Sequence, residues 1–449
     1  MKRSQFSSKI GFIMSAAGSA VGLGNIWRFP YLAAKYGGGM FLFIYIILVL
    51  TFGATIMLTE IAIGRKTGMS PIGAFTKLKK QFRFVGIIEA LSAFLICTFY
   101  GVISGWVLKY FFSYLIGHHT VMSNSNYFND FISKPFQPII WQVVFVLITA
   151  FILVNEIKDG LEKVNKIIMP LLVILTVGIS IYCMTLPNAF AGIKYFLIPN
   201  FAHFSFQGVI AAIGQMFYSM SLAMGVMITY GSYLDKKSDI EHSVGMIEIF
   251  DTGIAVLAGM MIICAVFSFN NGEETALNQG AGLMFVTLPK IFESMYGGGI
   301  IGTLFFLLVA FAALTSLISI MEVSVATITD QFKLSRKNAV IILTAACIIL
   351  GIPSSLGNGI WSNISLAGFN IMDFIDFLTS SIFMPLCALV TCILTAYVLD
   401  INIITDEIKL SSKFRREKLF NVVIKYIAPI FLLIILISSI LNSFSVVTL

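Results

Sequence analysis

Between Ala16 and Gly39 the chain reads AAGSAVGLGNIWRFPYLAAKYGGG. The stretch lies inside an apolar run, yet it carries six glycines, an asparagine, an arginine and a proline. Glycine and proline are the poorest helix formers, so a segment built only to cross a membrane would not be written this way. It reads as a membrane-length helix broken near its middle.

The rest of the chain supplies the setting. Of 449 residues 58% are hydrophobic and 11% charged, and the mean hydropathy is +0.94. That is more apolar surface than a soluble core of this size can hide. About 20 apolar residues cross the hydrocarbon layer as one helix, and backbone groups in lipid are satisfied within the helix. The expectation is an all-α polytopic membrane protein with eleven spans, near residues 9–36, 40–63, 85–116, 138–155, 165–185, 206–233, 241–269, 298–329, 338–353, 373–399 and 418–445. Lys2, Arg3 and Lys9, with the connections GRKTGMSPIGAFTKLKKQFR, EIKDGLEKVNK, LDKKSD, FKLSRKN and KLSSKFRREK, hold 22 of the 29 Lys and Arg. These segments share one side, which positive charge assigns to the cytoplasm. An odd number of spans then leaves the C-terminus extracytoplasmic, and the short tails favour a bacterial inner membrane.

Several function classes are excluded. The net charge of +7 is the positive-inside bias and calls for no nucleic acid. No GxxxxGK[ST] occurs and no polar segment is long enough to hold an ATP-hydrolysing module, so pumping would have to draw on an ion gradient. The four histidines form no HExxH or comparable pair, and the six cysteines have no metal-like spacing and read as buried thiols. An enzyme ranks low for want of a nucleophile, base and orienter. No organic cofactor is expected, and the oligomeric state is not legible.

A second interrupted segment matches the first. In AAIGQMFYSMSLAMGVMITYGSY, from Ala211 to Tyr233, Gly214, Ser219, Ser221 and Gly225 interrupt the sixth span as Gly18 to Asn25 interrupt the first. Glycine for tight helix contact is the alternative for either segment alone. Two broken spans five apart instead indicate a 5+5 inverted repeat with a site at the midplane, a rule drawn from solved secondary transporters. Residues 1–199 would be the first repeat, 200–400 the second, and 401–449 an added eleventh span. Breaks free carbonyls for a hard cation and leave a half-helix N-terminus suited to a carboxylate.

GSAVGLGNIWRFPYLAAKYGGG, EIAIGR, GQMFYSMSLAMG, FAALTSLISIMEVSVATITD and DQFKLSRK together resemble the neurotransmitter:sodium symporter family, in its eleven-span bacterial amino-acid branch. This family is among those from which the repeat rule is drawn, so the two arguments are not independent. The resemblance implies two Na⁺ sites. One would use the Ala20 carbonyl, Asn25, Ser219, Asp251 and the substrate carboxylate. The other would use carbonyls of Gly18, Val21 and Ala312 with the hydroxyls of Thr315 and Ser316. For those two hydroxyls, bonding back to their own helix is the alternative. Where relatives bind chloride or place a glutamate four residues beyond position 251, this chain has Ala255 there and an acid at Asp251 itself. An interhelical hydrogen bond is the plainer role for that acid. The resemblance implies instead chloride-independent transport, with Asp251 charged beside Na⁺ and able to take a proton when the site empties, hence possible proton counter-transport.

The same resemblance implies a substrate site. Amides near Leu23 and Gly24 and the Tyr100 hydroxyl would hold a carboxylate, with Gly22 leaving room for it. Carbonyls near Ala20, Tyr218 and Ser221 would take an ammonium, with Ser219 also in the substrate site. Ile96, Tyr100, Tyr218, Met224, Ser316 and Ile320 would form an apolar wall, suiting a hydrophobic or aromatic L-amino acid such as tyrosine, tryptophan or leucine. Helix contact is the alternative for Met224 and Ile320. Gates are implied at Arg28 with Asp376, Asp373 being the alternative acid, and at Arg3 with Asp330 near Tyr233. Glu60 would support the unwound part of span one. The implied function is Na⁺-coupled symport by alternating access; a sodium-gated channel or an amino-acid sensor on the same scaffold is the rival.

Overall fold

The computed structural model describes residues 5–270 and 282–443. Arg3 and the outer segment at 271–281 lie outside the described residues. Among those described, the chain is built of helices with no strand. Eight are long and apolar enough to cross a membrane: α3 (Gly39–Thr67), α4 (Lys80–Leu115), α6 (Lys158–Met184), α9 (Ile240–Phe269), α10 (Gly298–Phe332), α11 (Arg336–Leu356), α12 (Ile371–Val398) and α13 (Glu417–Leu441). A ninth is the bent pair α1 (Lys9–Ala20) and α2 (Gly24–Lys35), whose axes meet at 50°. The shorter α5 (Gln137–Leu153) and the pair α7 (Phe206–Ser219) and α8 (Val226–Gly231) complete the bundle. Side chains such as Phe151, Ile174, Ile249, Ile300 and Ile349 face outward and exposed, the apolar skin of a multi-pass membrane protein.

The breaks differ from their expected positions. Gly18 is still helical, and the first break is only Val21 to Leu23. Gly214 lies inside α7, with open space where a side chain would project, and breaks nothing. The second break runs from Met220 to Gly225, where Ser221 (φ 53°), Ala223 (φ 56°) and Gly225 (φ 78°) are left-handed. Two of these carry side chains, an uncommon and costly backbone that surrounding contacts have to hold. The Ala223 N–H donates to Glu60 Oε1 at 2.7 Å, and this is one such contact.

Around the breaks the helices approach closely. A methyl on Gly64 of α3 would run into the Ile228 backbone carbonyl, and one on Gly231 of α8 into the Ile61 backbone. These reciprocal glycines let α3 and α8 touch backbone to backbone. Gly64→Ala is expected to destabilise the protein by about 1–3 kcal/mol, because a backbone obstacle has no rotamer to yield. Thermal unfolding of the detergent-purified variant would read this as a lowered midpoint; an unchanged midpoint would mean that the contact relaxes freely.

The end of the bundle that carries the basic connections is stitched by buried acids. Glu162 accepts from Ser7 N at 2.8 Å and Ser7 Oγ at 2.6 Å, and pairs with Lys166. Glu322 accepts two bonds from Arg336, at 2.9 and 2.7 Å, and one from Tyr233 at 2.7 Å. Arg65 pairs with Glu407, and Arg416 with Glu248. All six cysteines are buried single thiols.

Candidate functional site

The site lies where both breaks face α4, α9 and α10. A helix end leaves its last carbonyls without intrahelical partners, and α1 stops at Ala20 because the alternation Gly18, Gly22, Gly24 gives the backbone little reason to continue as a helix. Ser221 Oγ and Ser316 Oγ, at 3.1 and 3.2 Å, both donate to the Ser19 carbonyl, tying break to break and to α10.

Asp251 is fully buried, as is Asn25 beside it, and is the hub of the polar contacts. Its Oδ1 accepts from Asn25 Nδ2 at 2.7 Å and from Ser219 Oγ at 2.6 Å; its Oδ2 accepts from Tyr45 OH at 3.2 Å. The side chains fit a hard cation, since Asp251, Ser219 and Asn25 all carry oxygen. Asn25 has its amide nitrogen toward Asp251 and its Oδ1 on the Gly22 N–H, at 3.1 Å. Presenting oxygen to a cation beside Asp251 therefore takes a half-turn of that amide.

Of the second expected cation set, two members from different helices meet. Thr315 faces Gly18, its Cβ 3.4 Å from where a Gly18 side chain would begin. Its hydroxyl donates back to the Phe311 and Ala312 carbonyls, both at 3.1 Å. That is the plainer arrangement for such a hydroxyl, and it leaves the oxygen lone pairs able to coordinate.

A cavity of about 20 Å³ lies between the breaks. Eleven of the twelve sequence-predicted substrate residues line it, with Ser19 added; Leu23 lines the larger cavity beyond it instead. The Leu23 N–H donates to Tyr100 OH at 3.2 Å, so the two groups expected to hold a carboxylate hold one another. Room for about one water is far too little for an amino acid, so binding requires these walls to part.

Beyond Tyr218 a vestibule of about 480 Å³ lies between Arg28 and Trp27 on one side and Met372, Asp373 and Asp376 on the other. Arg28 sits over the Tyr218 ring at 5.2 Å, a cation–π contact. It makes no ion pair with Asp376 or Asp373: Asp376 accepts from Ser380 and Asp373 from Asn370, each at 2.7 Å. The expected outer charge pair therefore faces across the vestibule without closing. Of the expected inner pair, Arg3 lies outside the described residues; Asp330 accepts from the Ser70 N–H at 2.8 Å. Tyr233 bonds Glu322. Its backbone carbonyl takes the Phe6 N–H at 3.2 Å, and Phe6 packs edge-on against Tyr230 and Tyr233.

Sequence reading missed Tyr45, Gln215, which donates to the Gly24 carbonyl at 2.9 Å, and Ser19. Tyr45 and Gln215 are isolated polar groups inside apolar runs, and that isolation was the available signal. Ser19 lay within the glycine motif itself.

A model of the sodium:neurotransmitter symporter family matches residues 3–132 and 130–448. An uncharacterized sodium-dependent transporter of Haemophilus influenzae is 33% identical, over 98% of both chains. The uncharacterized sodium-dependent transporter YhdH of Bacillus subtilis is 34% identical over 96% of both. Among solved structures, that of MhsT in complex with L-phenylalanine is similar with a TM-score of 0.89 and 38% identity, covering 97% of this chain and 100% of that one.

Proposed function

The chain belongs to the sodium:neurotransmitter symporter family and is a sodium-dependent transporter, and on that premise we propose that it carries a hydrophobic or aromatic L-amino acid inward with Na⁺. The observation that carries this reading is the small cavity between the two breaks. Tyr100 lines one end, its OH taking the Leu23 N–H from beyond the cavity, and both groups suit a carboxylate; the Asp251, Ser219 and Asn25 cluster stands beside it; Ile96, Met224 and Ile320 make the remaining wall apolar. Such a wall has nothing to match a charged side chain. The MhsT structure, with an aromatic amino acid bound, supports the same class.

The broken pairs α1–α2 and α7–α8 each count as one span on this reading. With α5 and the eight long helices they make eleven, in two five-span repeats, residues 1–199 and 200–400, followed by the eleventh span in 401–449. The basic connections face the cytoplasm. Two Na⁺ enter as co-substrates, one beside Asp251 and one among Gly18, Val21, Ala312, Thr315 and Ser316. Asp251 supplies the negative charge, which makes transport independent of chloride. Arg28 meets Asp376 when the vestibule closes, and release to the cytoplasm requires the contacts of Phe6, Ser7 and Tyr233 to part. Exposed ion pairs contribute only ~0–1 kcal/mol, so sodium supplies the bias by binding one state better than the other.

Uptake of labelled phenylalanine, tyrosine, tryptophan and leucine into proteoliposomes, in chloride-free buffer with and without an inward Na⁺ gradient, tests this. Accumulation of at least one against its gradient, only with Na⁺, is expected. Saturable binding with no net uptake would overturn transport in favour of a sensor, and uptake that never exceeds equilibration would indicate a channel. Within the same assay Tyr100→Phe is expected to raise the half-saturating amino-acid concentration between about 10- and 100-fold. A hydrogen bond to a charged group contributes roughly 1.5–3 kcal/mol.

A further inference from the structure

Asn165 on α6 is completely buried and takes no part in the contacts described above. Its Nδ2 donates to the Leu161 carbonyl at 2.9 Å, one turn back along the same helix, and this bond fixes which way round the amide lies. Turning it over would set oxygen against oxygen. The other end of the amide, Oδ1, has no hydrogen-bond partner. It lies 2.4 Å from where a Gly18 side chain would begin, and the Thr315 Cβ lies 3.4 Å from that same point. The helices α1, α6 and α10 pack on one another in all three pairings, so an oxygen from α6 and the side chain of Thr315 converge on Gly18. One turn before Gly18 the buried Ser15 hydroxyl is itself unpartnered and makes no bond to Asn165. A buried amide oxygen left without a donor is costly, and a bound ion is one of the few things that satisfies it.

We propose that Asn165 is a ligand of the second sodium ion, with its Oδ1 facing the cation from the α6 side, alongside the Gly18 carbonyl and the Thr315 hydroxyl. Side-chain amide oxygens are ordinary ligands of hard cations. This role rests on the reading that sodium binds among Gly18, Val21, Ala312, Thr315 and Ser316, and it adds to that set an oxygen from a third helix. It also accounts for glycine at position 18, where a side chain would take the space of that oxygen.

The test is a sodium titration of the purified full-length protein without amino acid, at constant ionic strength made up with choline chloride. The rise of the thermal unfolding midpoint gives the half-saturating sodium concentration. Asn165→Ala is expected to raise that concentration about 10-fold, the scale of one contact to a charged group. Asn165→Asp should not raise it, because the carboxyl group keeps an oxygen at the same place and, as the neutral acid, still donates to the Leu161 carbonyl. Thr315→Ala should raise it too, and the two alanine changes together should fall short of the product of their separate effects, because both act on one ion. Asn165→Ala combined with Asp251→Asn should give the full product, since those act on different ions. Ser15→Ala should leave the titration unchanged. A midpoint lowered equally at every sodium concentration is what a packing role alone would give, and that result in Asn165→Ala would overturn the proposal, as would a loss of sodium affinity in Asn165→Asp equal to that in Asn165→Ala. If Thr315→Ala shifts the titration and Asn165→Ala does not, the second sodium site stands and Asn165 is no part of it. If neither does, the sodium site itself is misplaced and the role of Asn165 falls with it.

Discussion

Asp251→Asn is expected to raise the sodium concentration that half-saturates uptake about 100-fold, while the protein still folds and inserts. The substitution keeps the volume of the side chain and an oxygen for Ser219 or Tyr45 to bond, but it removes the negative charge that Asn25, Ser219 and Tyr45 surround at 2.6–3.2 Å. Losing one partner of a buried, hydrogen-bonded charge pair costs on the order of 3 kcal/mol, and each 1.4 kcal/mol is a factor of ten. The side chain is fully buried, so little screening softens the loss. Sodium titration of amino-acid binding to purified protein reads the effect without the complication of turnover. A shift under about threefold would mean that the cation binds elsewhere and that Asp251 is only an interhelical bond. Chloride gives a second readout: the wild type should be indifferent to it, and a variant short of one negative charge should be stimulated by it.

The eleven apolar runs lie close to the helices found because length and composition alone define a span. The run near 165–185 begins seven residues earlier in the structure, at Lys158, where Glu162 draws the charged start of α6 into the bundle through Ser7 and Lys166. Breaks are less legible than spans. Glycine marks where a helix can fail, and Gly214 shows that permission is not failure: it sits in the middle of α7. The second break is fixed at Ser221 and Ala223 by left-handed backbone that no local pattern announces, and by an acid 163 residues away in sequence.

The cavity residues were legible because the motifs that carry them are long. Their partners were not, because those contacts are wholly tertiary. Tyr45, in FLFIYIILVL, reads as packing until α9 brings Asp251 against it. Glu89 reads as an acid near the end of a span, within reach of water. It is buried because Pro71–Leu78, inside a stretch that looks like a basic loop, folds as a helix over the start of α4, where Gly86 meets the Pro71 backbone. Whether the outer gate is open or closed was not legible for a different reason. Arg28 and Asp376 are in place but apart, and a pair made in only some states cannot be read as closed or open from residue identities.

Gly22→Ala is expected to weaken amino-acid binding by about 100-fold or more while changing stability little. A side-chain carbon at Gly22 would lie 2.5 Å from Ser316 Oγ and 3.1 Å from Tyr100 OH. Both hydroxyls have to move: Ser316 away from the Ser19 carbonyl, Tyr100 away from the Leu23 N–H. If these groups orient the substrate, losing two such bonds at roughly 1.5 kcal/mol each gives about 3 kcal/mol. Stability should fall less, because both clashing atoms are the ends of side chains and not backbone, unlike the obstacle at Gly64. The discriminating experiment is a double-mutant cycle with Ser316→Ala. Removing the Ser316 hydroxyl clears the nearer clash, so the double variant should bind more tightly than Gly22→Ala alone. If Gly22→Ala binds as the wild type does, the carboxylate does not lie against the first break. If the double variant shows no recovery, the methyl group acts on the substrate directly, and the space at Gly22 is occupied by the ligand itself.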